Sequence, residues 1–404
     1  MHRIEISNFG PIKECVMDIN QFTVLTGPQA SGKSTIAKAI YFFRTIKDDI
    51  MDLILKNKEN EPLRSIVTNY LLTKFYRLFD MLTTETWTEL ADLKYIYKND
   101  VFVDMWYDEN MGYNQYVVYF SPQIEKFFEA KSNLSYPIDE ETRNKLYDEL
   151  NDLFDDHVET VYIPAGRVTT ALLSEQLTPI FMSMDDRQRE TIEYSFRKYF
   201  ELVLKIKPWF EKNTVTDKFY KKIINAEYKY ENRQERLYFN DNQYIPLGFA
   251  SSGQQEAVWI LNILNYYISY KKIFLIVEEP EAHLYPESQM HMTDALSLFI
   301  NGGGNYGLIT THSPYILGEL NNLILCGQAE NEGIEKNSIK KASDIDERTW
   351  FKKDALHAFH VIGGKCENAL TDGLIMNELI EGASEKIDGK SAGLIDLFHR
   401  EDDK

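Results

Sequence analysis

Residues 27–35 decide the fold of this chain, and they read Gly27-Pro28-Gln29-Ala30-Ser31-Gly32-Lys33-Ser34-Thr35. This stretch matches G-x-x-x-x-G-K-[ST], the pattern of a phosphate-binding P-loop. Its neighbours support that interpretation. The apolar run 22–26 before it predicts a buried strand, and the residues after it, to about position 46, predict a helix. A glycine-rich loop ahead of an ordinary helix is the alternative, which further motifs must exclude.

The chemistry of such a loop predicts its ligand. Glycines let the backbone curl until several N–H groups face one point, where the N-terminus of the following helix adds partial positive charge. Lys33 would then reach the β- and γ-phosphates of a nucleotide, and the Ser34 hydroxyl would hold Mg²⁺. The predicted nucleotide-binding residues of this stretch are Gly27, Gln29, Ser31, Gly32, Lys33, Ser34 and Thr35.

Composition limits the remaining possibilities. The chain has 404 residues, of which 44% are hydrophobic and 26% charged, so it can form one large α/β domain with insertions or several smaller domains. No apolar run reaches the roughly 18 residues of a membrane span, and no signal peptide begins the chain. Cys15, Cys326 and Cys366 show neither a disulfide framework nor a zinc spacing. We therefore predict a cytoplasmic protein with reduced thiols and no membrane segment.

The net charge of −19 bears on partners. A protein that binds DNA without sequence preference needs a coat of cations, because phosphate contacts dominate that affinity. The acidic balance argues against such a coat, although it allows a local basic groove and suits a basic protein partner. Residues 197–222 interleave lysines and an arginine with aromatic side chains, as a nucleic-acid groove does. Amphipathic helices with lysines along their polar edge have the same composition, and we favour that interpretation.

Strands and helices alternate along the sequence, which predicts an α/β sheet with a ligand crevice at the carboxyl ends of its strands. The pattern is helical over about 47–98 and again over about 171–236, whereas 160–163 is a short buried strand. Hairpins are predicted over 237–247 and over 355–369.

The most apolar strand is Ile273-Phe274-Leu275-Ile276-Val277, a pattern typical of a strand buried on both faces. Glu278 and Glu279 follow it in the form of a Walker B element. Phosphoryl transfer needs one carboxylate near Mg²⁺ and another group that orients the attacking water. We predict Glu278 on the metal side and Glu279 as the catalytic base. His312 follows another strand, between two hydroxyl residues, and is predicted to reach the γ-phosphate.

Five segments carry a family resemblance, and in chain order they are Ile6–Ile12, Gly27–Thr35, Ser251–Glu256, Glu278–Pro286 and Thr310–Pro314. Together they resemble the ABC-type ATPase heads of the RecF/SMC group, and especially the AAA-like ATPases of the OLD family. The resemblance implies an α/β fold, an ABC-type P-loop NTPase head with a mixed β-sheet, flanking helices and helical insertions. It implies ATP and Mg²⁺ as cofactors.

The same resemblance implies an even-numbered homo-oligomer whose ATP sites are composite. In the family, a serine-glycine-glutamine segment contacts the γ-phosphate of ATP held by the opposite subunit. Here that segment is Ser252-Gly253-Gln254. The ABC-type core would comprise residues 1–46 and 237–404. Residues 47–170 would form a helical and β insertion that shares the core sheet, and 171–236 a helical insertion.

Two positions depart from the family pattern. Relatives commonly carry Asp before the catalytic Glu, whereas Glu278 stands here, and its extra methylene would alter metal geometry and slow hydrolysis. The family's glutamine loop is not evident, because Ala165-Gly166-Arg167 follows the strand in the suitable place. We therefore expect Arg167 to line the site, with Gln123 as a weaker candidate for the missing glutamine.

Other activities find less support. OLD nucleases carry a Toprim domain after the ATPase, and the residues after His312 contain only Asp344-Ile345-Asp346, in a polar stretch, as a near match to its Asp-x-Asp. A GTPase interpretation fails because Asn57-Lys58-Glu59-Asn60 lacks the final carboxylate of Asn-Lys-x-Asp.

Stand-alone ATPases that this chain resembles are typical of bacterial anti-phage systems, in which a separate nuclease or toxin does the damage. The main hypothesis is therefore an ATP-hydrolysing dimer that controls such an effector. One alternative is an ATP-locked scaffold that hydrolyses slowly and sequesters the effector. The other is a RecF-like DNA-repair ATPase that binds nucleic acid through the region 197–222.

Overall fold

The computed structural model describes residues 2–57, 61–79, 90–108, 115–132, 134, 136–167, 183–189, 192–213, 218–352 and 354–401. Its strands are β1 His2–Phe9, β2 Ile12–Ile19, β3 Phe22–Thr26, β4 Asp92–Lys98, β5 Val101–Asp108, β6 Gln115–Phe120, β7 Glu159–Ile163, β8 Glu227–Glu231, β9 Gln234–Asn240, β10 Gln243–Pro246, β11 Ile273–Glu278, β12 Tyr306–Thr311, β13 Leu356–Ile362, β14 Lys365–Asn368, β15 Leu370–Thr371 and β16 Leu374–Ile375. Its α-helices are α1 Lys33–Arg44, α2 Ile46–Lys56, α3 Leu63–Phe79, α4 Pro122–Lys131, α5 Glu140–Phe154, α6 Asp186–Arg189, α7 Tyr194–Lys212, α8 Lys218–Ile224, α9 Ser252–Ile268, α10 Pro286–Gly303, α11 Pro314–Asn331, α12 Lys336–Ser343 and α13 Asn377–Glu401.

One mixed sheet organises the described part of the chain. Its eleven strands run in the order β6-β5-β4-β1-β2-β14-β13-β3-β12-β11-β7. The five strands from β13 to β7 are parallel, whereas β1, β2, β4, β5 and β6 form an antiparallel limb. The predicted α/β fold with a mixed sheet and flanking helices is confirmed.

The parallel half of the sheet is buried on both faces. Every residue of β3 and of β11 is buried, as their apolar runs predict. Leu25 packs in a core with Phe42 of α1, and its neighbour Val24 packs in a second core with Trp259 of α9. Successive side chains of a strand point to opposite faces, so β3 joins the two cores.

A carboxyl-terminal hairpin connects the two halves of the sheet. The predicted hairpin over 355–369 is confirmed as antiparallel β13 and β14, with Gly363 and Gly364 at φ +58° and +83° in the turn. β13 pairs with β3, and β14 pairs with β2 through Lys365 and Glu14. The β13–β14 hairpin therefore completes the sheet beside the P-loop.

The region 47–98, predicted to be helical, ends in a strand. It holds α2 and α3, but β4 follows, and the prediction was wrong there. Leu93, Tyr95 and Tyr97 are buried and alternate with less buried neighbours. This period of two is the strand signal, and the aromatic content of the preceding segment obscured it.

The region 171–236, predicted to be helical, also ends in strands. Its end forms β8 and the start of β9, which build a three-stranded sheet with β10. Asn232 and Arg233 turn between β8 and β9 with φ of +52° and +63°, as a tight hairpin requires. The hairpin predicted over 237–247 is thus part of a larger meander. Residues 168–182, with which that region begins, lie outside the described residues.

Lysines of α7 and α8 are engaged with carboxylates. Ion pairs join Lys198 to Glu201, Lys207 to Glu235, Lys218 to Asp346 and Lys221 to Glu227. These contacts agree with the amphipathic interpretation of 197–222, because paired cations are less available to a phosphate backbone. Within the described ranges, no helix is both apolar and long enough to traverse a bilayer.

A buried ion pair ties the end of α1 to the segment before β7. Arg44 and Asp156 are 5% and 3% exposed, and Arg44 Nη2 lies 2.9 Å from Asp156 Oδ1. Arg44 also donates to His2 Nδ1 at 2.9 Å and lies 4.0 Å from the centre of the Phe274 ring. Burial and the nearby guanidinium lower the pKa of His2 to about 3, so its neutral ring can accept that bond.

We expect Asp156→Asn to lower the free energy of unfolding by about 3–5 kcal/mol, because Arg44 would stay buried without its counter-charge. Chemical denaturation followed by circular dichroism measures this change. Glu141→Gln is the matched control: it removes a carboxylate from an exposed pair with Lys145 and should cost less than about 0.5 kcal/mol. Equal stability of the two variants would contradict the expectation.

Candidate active site

The parallel strands bring the predicted site segments to one edge of the sheet. Thr311 of β12 pairs with Thr26 of β3, and β12 also pairs with β11 through Thr310 and Glu278. β7 lies on the other side of β11 and ends at the same level. The P-loop, Glu279, His312 and the turn after β7 therefore leave the sheet side by side.

The P-loop has a backbone that its small residues permit. Gly27 and Gly32 have φ of +143° and +107°, and Ala30 has φ of +58°. A Cβ on Gly27 would lie 2.3 Å from the carbonyl oxygen of Val361 in β13, and one on Gly32 would lie 2.2 Å from Cδ1 of Ile12. The loop is thus held between the carboxyl-terminal hairpin and the β1–β2 turn.

Lys33 begins α1 and faces its own loop. It is 4% exposed, and its Nζ donates to the carbonyl oxygens of Gly27 at 2.9 Å and Pro28 at 2.8 Å. Burial lowers the pKa of this ammonium, and the three glutamates that follow or end β11 act in the opposite direction. A phosphate that enters the loop would meet a cation whose hydrogen bonds go to neutral carbonyls.

The remaining residues predicted for the loop follow the same turn. Gln29 and Ser34 are exposed, whereas Ser31 and Thr35 are half-buried. Ser31 N donates to Pro28 O at 3.3 Å and closes the turn. The Ser34 hydroxyl therefore stands on the open side of the first turn of α1, where a phosphate-bound metal could reach it.

Glu278 ends β11 with one oxygen uncommitted. The residue is 4% exposed, and its Oε2 accepts a hydrogen bond from Ala165 N at 3.0 Å. Its Oε1 is also buried and has no hydrogen-bond partner among the residues that the structure describes. Such an oxygen is costly to bury alone, and Mg²⁺ prefers oxygen ligands of this kind. Glu278 therefore has a buried carboxylate oxygen of the kind that the predicted metal site needs.

Glu279 and His312 face each other across the ends of β11 and β12. Glu279 Oε1 lies 3.5 Å from His312 Nε2, and the side chains are 38% and 33% exposed. Glu279 has φ of +43°, which is uncommon for a residue with a Cβ, and its N–H donates to the Thr310 carbonyl at 2.9 Å. The turn leaves both a carboxylate and an imidazole open to solvent at one point of the cleft.

Glu281 belongs to the same cluster, although sequence reasoning assigned it no role. Its Oε1 accepts hydrogen bonds from Oγ1 of Thr311 at 2.8 Å and from N of His312 at 2.7 Å. Burial raises the pKa of Glu281, and these hydrogen bonds oppose the rise. Glu281 therefore anchors the backbone of His312. The recurrence of acids after β11 was the available signal.

Arg167 lies behind the cleft, where it braces the backbone. It is 1% exposed, and its guanidinium donates to the carbonyl oxygens of Glu278 and Glu279, each at 2.7 Å. Gln123 is in the first turn of α4, which packs against α3, β5 and β6. Since β6 is at the far edge of the antiparallel limb, the fold does not bring Gln123 to the P-loop.

The segment Ser251–Gln254 forms the amino-terminal end of α9, where Ser251 and Ser252 are exposed, Gln254 is half-buried and Gly253 is buried. Ser251 Oγ accepts from Gln254 N at 3.4 Å, and Gln254 Oε1 accepts from Ser251 N at 3.1 Å, which is a capping box. Gln254 also donates to the carbonyl of Ile224 at 2.8 Å. The Gln254 side chain is thus used within its own chain. The capping hydroxyl belongs to Ser251, which the predicted contact residues omitted.

Ser252 and Gly253 offer their backbone at this helix end. Ser252 is exposed, and a Cβ on Gly253 would lie 2.4 Å from the carbonyl oxygen of His283. Their N–H groups have no preceding helical turn to accept them, so this end of α9 suits an anion. Phe249 and Tyr285, which flank the segment in the chain and in the adjoining loop, are 83% and 74% exposed.

Comparison with known proteins shows the family of the chain. A family model described as an AAA ATPase domain matches residues 1–317, a range that holds each of the site residues above. No curated protein matches the chain.

Similar solved structures are SMC heads. The SmcHead bound to the C-winged helix domain of ScpA is 12% identical with a TM-score of 0.44, over 91% of this chain and 96% of that chain. The SMC head domain from Thermotoga maritima is 14% identical with a TM-score of 0.37, over 92% and 98%. The Smc head domain with an extended coiled coil, bound to the C-terminal domain of ScpA derived from Pyrococcus furiosus, is 11% identical with a TM-score of 0.43, over 95% and 99%.

Gly27→Ala should weaken nucleotide binding by about tenfold or more, because the methyl group has no room beside the Val361 carbonyl and the φ angle is unfavourable. Strain of this kind costs about 1–3 kcal/mol. Titration with a fluorescent ATP analogue measures the affinity. Gly389→Ala is the control, since its Cβ would meet open space in α13. Wild-type affinity in Gly27→Ala would remove the loop from nucleotide binding.

Proposed function

Since the chain belongs to the AAA ATPase domain family, we propose that it binds ATP with Mg²⁺ at the P-loop and hydrolyses it, as an ABC-type ATPase of the OLD kind. The observation that supports this most directly is the meeting of Lys33, Glu278, Glu279 and His312 at one sheet edge. Phosphoryl transfer needs a cation at the phosphates, a carboxylate at the metal and a base for water. This edge offers each of them.

Binding would rest on the P-loop and on the end of β11. Lys33 would exchange its two carbonyl partners for oxygens of the β- and γ-phosphates, while the loop N–H groups bind the remaining oxygens. The Ser34 hydroxyl and Oε1 of Glu278 would hold Mg²⁺, whose charge offsets that of the phosphates. Glu278 is longer than the usual Asp and already bonds Ala165 N.

The hydrolytic step would rest on the pair at the ends of β11 and β12. Glu279 would orient the attacking water and accept its proton. His312, whose Nε2 lies 3.5 Å from Oε1 of that carboxylate, would donate to the γ-phosphate. Glu281 would keep the His312 backbone in place through the 2.7 Å hydrogen bond.

Glu279→Gln should reduce ATP turnover by about 10²-fold or more and leave ATP affinity unchanged, because a general base contributes about 10²–10⁴-fold to rate. Phosphate release and nucleotide titration measure the two quantities, with Glu141→Gln as the control. Unchanged turnover would remove the base assignment.

Phosphate release and nucleotide titration of the wild-type protein distinguish this function from the scaffold hypothesis. The extra methylene of Glu278 favours the scaffold. Steady phosphate release supports the hydrolysing enzyme. Bound ATP without release supports a scaffold locked by nucleotide.

A second copy of the chain would complete each ATP site. Ser251 and Ser252 at the end of α9 are exposed, the N–H groups of this helix end suit the γ-phosphate, and Gln254 is already bonded within the chain. Exposed aromatic side chains such as Phe249 and Tyr285 are typical of interfaces. Head-to-tail pairing would therefore set Ser252 and Gly253 of one copy against ATP on the P-loop of the other.

The double substitution Phe249→Ser with Tyr285→Ser should raise the dissociation constant of the ATP-bound dimer by about tenfold or more, because buried aromatics dominate interface energy. Analytical ultracentrifugation with ATP, in a Glu279→Gln background that retains nucleotide, measures it. Tyr270→Ser is the control, since Tyr270 is 68% exposed at the opposite end of α9. Equal dimerisation in both variants, or a wild-type monomer with ATP bound, would refute this pairing.

We further propose that the dimer controls a separate effector, a nuclease or toxin, in cytoplasmic anti-phage defence. The resemblance of the five motif segments to OLD-family ATPases supports this, as does an acidic surface that suits a basic partner. The division into a core of 1–46 and 237–404 with insertions 47–170 and 171–236 is part of the same proposal. Nucleic-acid binding ranks below it, because lysines of α7 and α8 are paired with carboxylates.

A further inference from the structure

Arg167 joins three segments of the site that are far apart in the sequence. Its Nη1 donates to the carbonyl oxygen of Glu278 and its Nη2 to that of Glu279, each at 2.7 Å. The same Nη2 lies 3.3 Å from Oε2 of Glu256 in α9, and the side chains of Arg167 and Glu256 are 0% and 2% exposed. One guanidinium thus contacts both the Walker B end and the helix that begins at Ser252.

Arg167 holds the backbone of Glu279, the proposed catalytic carboxylate. Glu279 has φ of +43°, a conformation that a residue with a Cβ adopts only when its surroundings impose it. Here the Thr310 carbonyl holds its N–H at 2.9 Å and Arg167 holds its carbonyl. The direction of the Glu279 side chain therefore depends on the position of the guanidinium.

Glu256 connects Arg167 to the end of α9. Oε1 of Glu256 lies 2.9 Å from Nδ1 of His283, so Glu256 forms an ion pair with Arg167 through one oxygen and contacts His283 through the other. The His283 carbonyl is the group against which Gly253 packs, with 2.4 Å between that oxygen and an added Cβ. The contacts therefore form a closed ring. They run from Arg167 to Glu256 and along α9 to Gly253, which packs on His283 in the loop after Glu279.

Buried charges make this ring stiff. A guanidinium and a carboxylate removed from water lose much free energy if either loses its partner, so neither group moves alone. An ordinary buried ion pair would stabilise the packing of two core elements without connecting two functional sites. This pair instead links Glu279, which acts on the chain's own nucleotide, to Ser252 and Gly253, which face the nucleotide of a second copy.

We propose that Arg167, through Glu256, is a positioning residue that couples the two ATP sites of the dimer. The inference rests on the proposed dimeric ATPase. Nucleotide at one P-loop shifts the backbone of Glu278 and Glu279, Arg167 passes that shift to α9, and the end of α9 meets the other nucleotide in the matching position. Turnover is therefore cooperative in ATP concentration.

Glu256→Gln tests the coupling, because glutamine keeps the size of the side chain, removes its charge and replaces one acceptor oxygen with an NH2 donor. We expect wild-type turnover with a Hill coefficient above 1. The variant should show a coefficient of 1 and a kcat reduced about tenfold, with ATP affinity of the dilute monomer unchanged within about twofold. Glu141→Gln should match the wild type in all three. A purely structural role would not alter the Hill coefficient selectively.

A second variant guards against misfolding. Replacing both Arg167 and Glu256 with Met removes the two charges together, which buried pairs tolerate better than the loss of one partner. This double variant should fold, as its thermal unfolding shows, and the turnover that it retains should lack cooperativity. An active wild type whose Hill coefficient survives in Glu256→Gln or in a folded double variant overturns the coupling alone. A wild type without turnover and without an ATP-dependent dimer overturns the proposed function, and the coupling with it.

Discussion

Charge cannot remain inside strands that are covered on both faces, and this constraint orders the whole molecule. β3 and β11 are buried along their full length, and β12 along all but its first residue. Polar groups needed for chemistry can therefore stand only where the strands end. Because these strands are parallel, their carboxyl ends coincide, and one edge of the sheet collects the polar groups that the interiors of the strands could not hold.

The charges at this edge of the sheet are only partly paired. Glu278, Glu279 and Glu281 lie near the ammonium of Lys33, and Arg167 bonds the backbone beneath them. The Lys33 hydrogen bonds go to carbonyls, and Oε1 of Glu278 has no partner within the described ranges. Anionic phosphate and a divalent cation would satisfy both groups. Nucleotide and metal would thus complete a charge arrangement that the chain leaves open.

Much of the candidate site could be predicted because its parts are local in the sequence. Each pattern lies next to the residues whose function it predicts. These patterns are the glycines of the P-loop, the apolar run before Glu278 and the polar end of β12. Strand signals were lost where aromatic residues masked a period of two, as in β4. Arg167 was expected at the site, but its hydrogen bonds could not be predicted, since its carbonyl partners are 111 and 112 residues away.

By itself the sequence determined the P-loop, the buried strands, the acids after β11 and the capping segment before α9. In each case neighbouring side chains and backbone preferences are sufficient causes. Only the tertiary structure decided that the β13–β14 hairpin enters the sheet between β2 and β3, which pairs Lys365 with Glu14 and sets Cys366 beside Cys15. It also decided that Arg167 binds the backbone of β11's end. Such pairings depend on the total burial of remote segments against one another, and no local pattern encodes that sum.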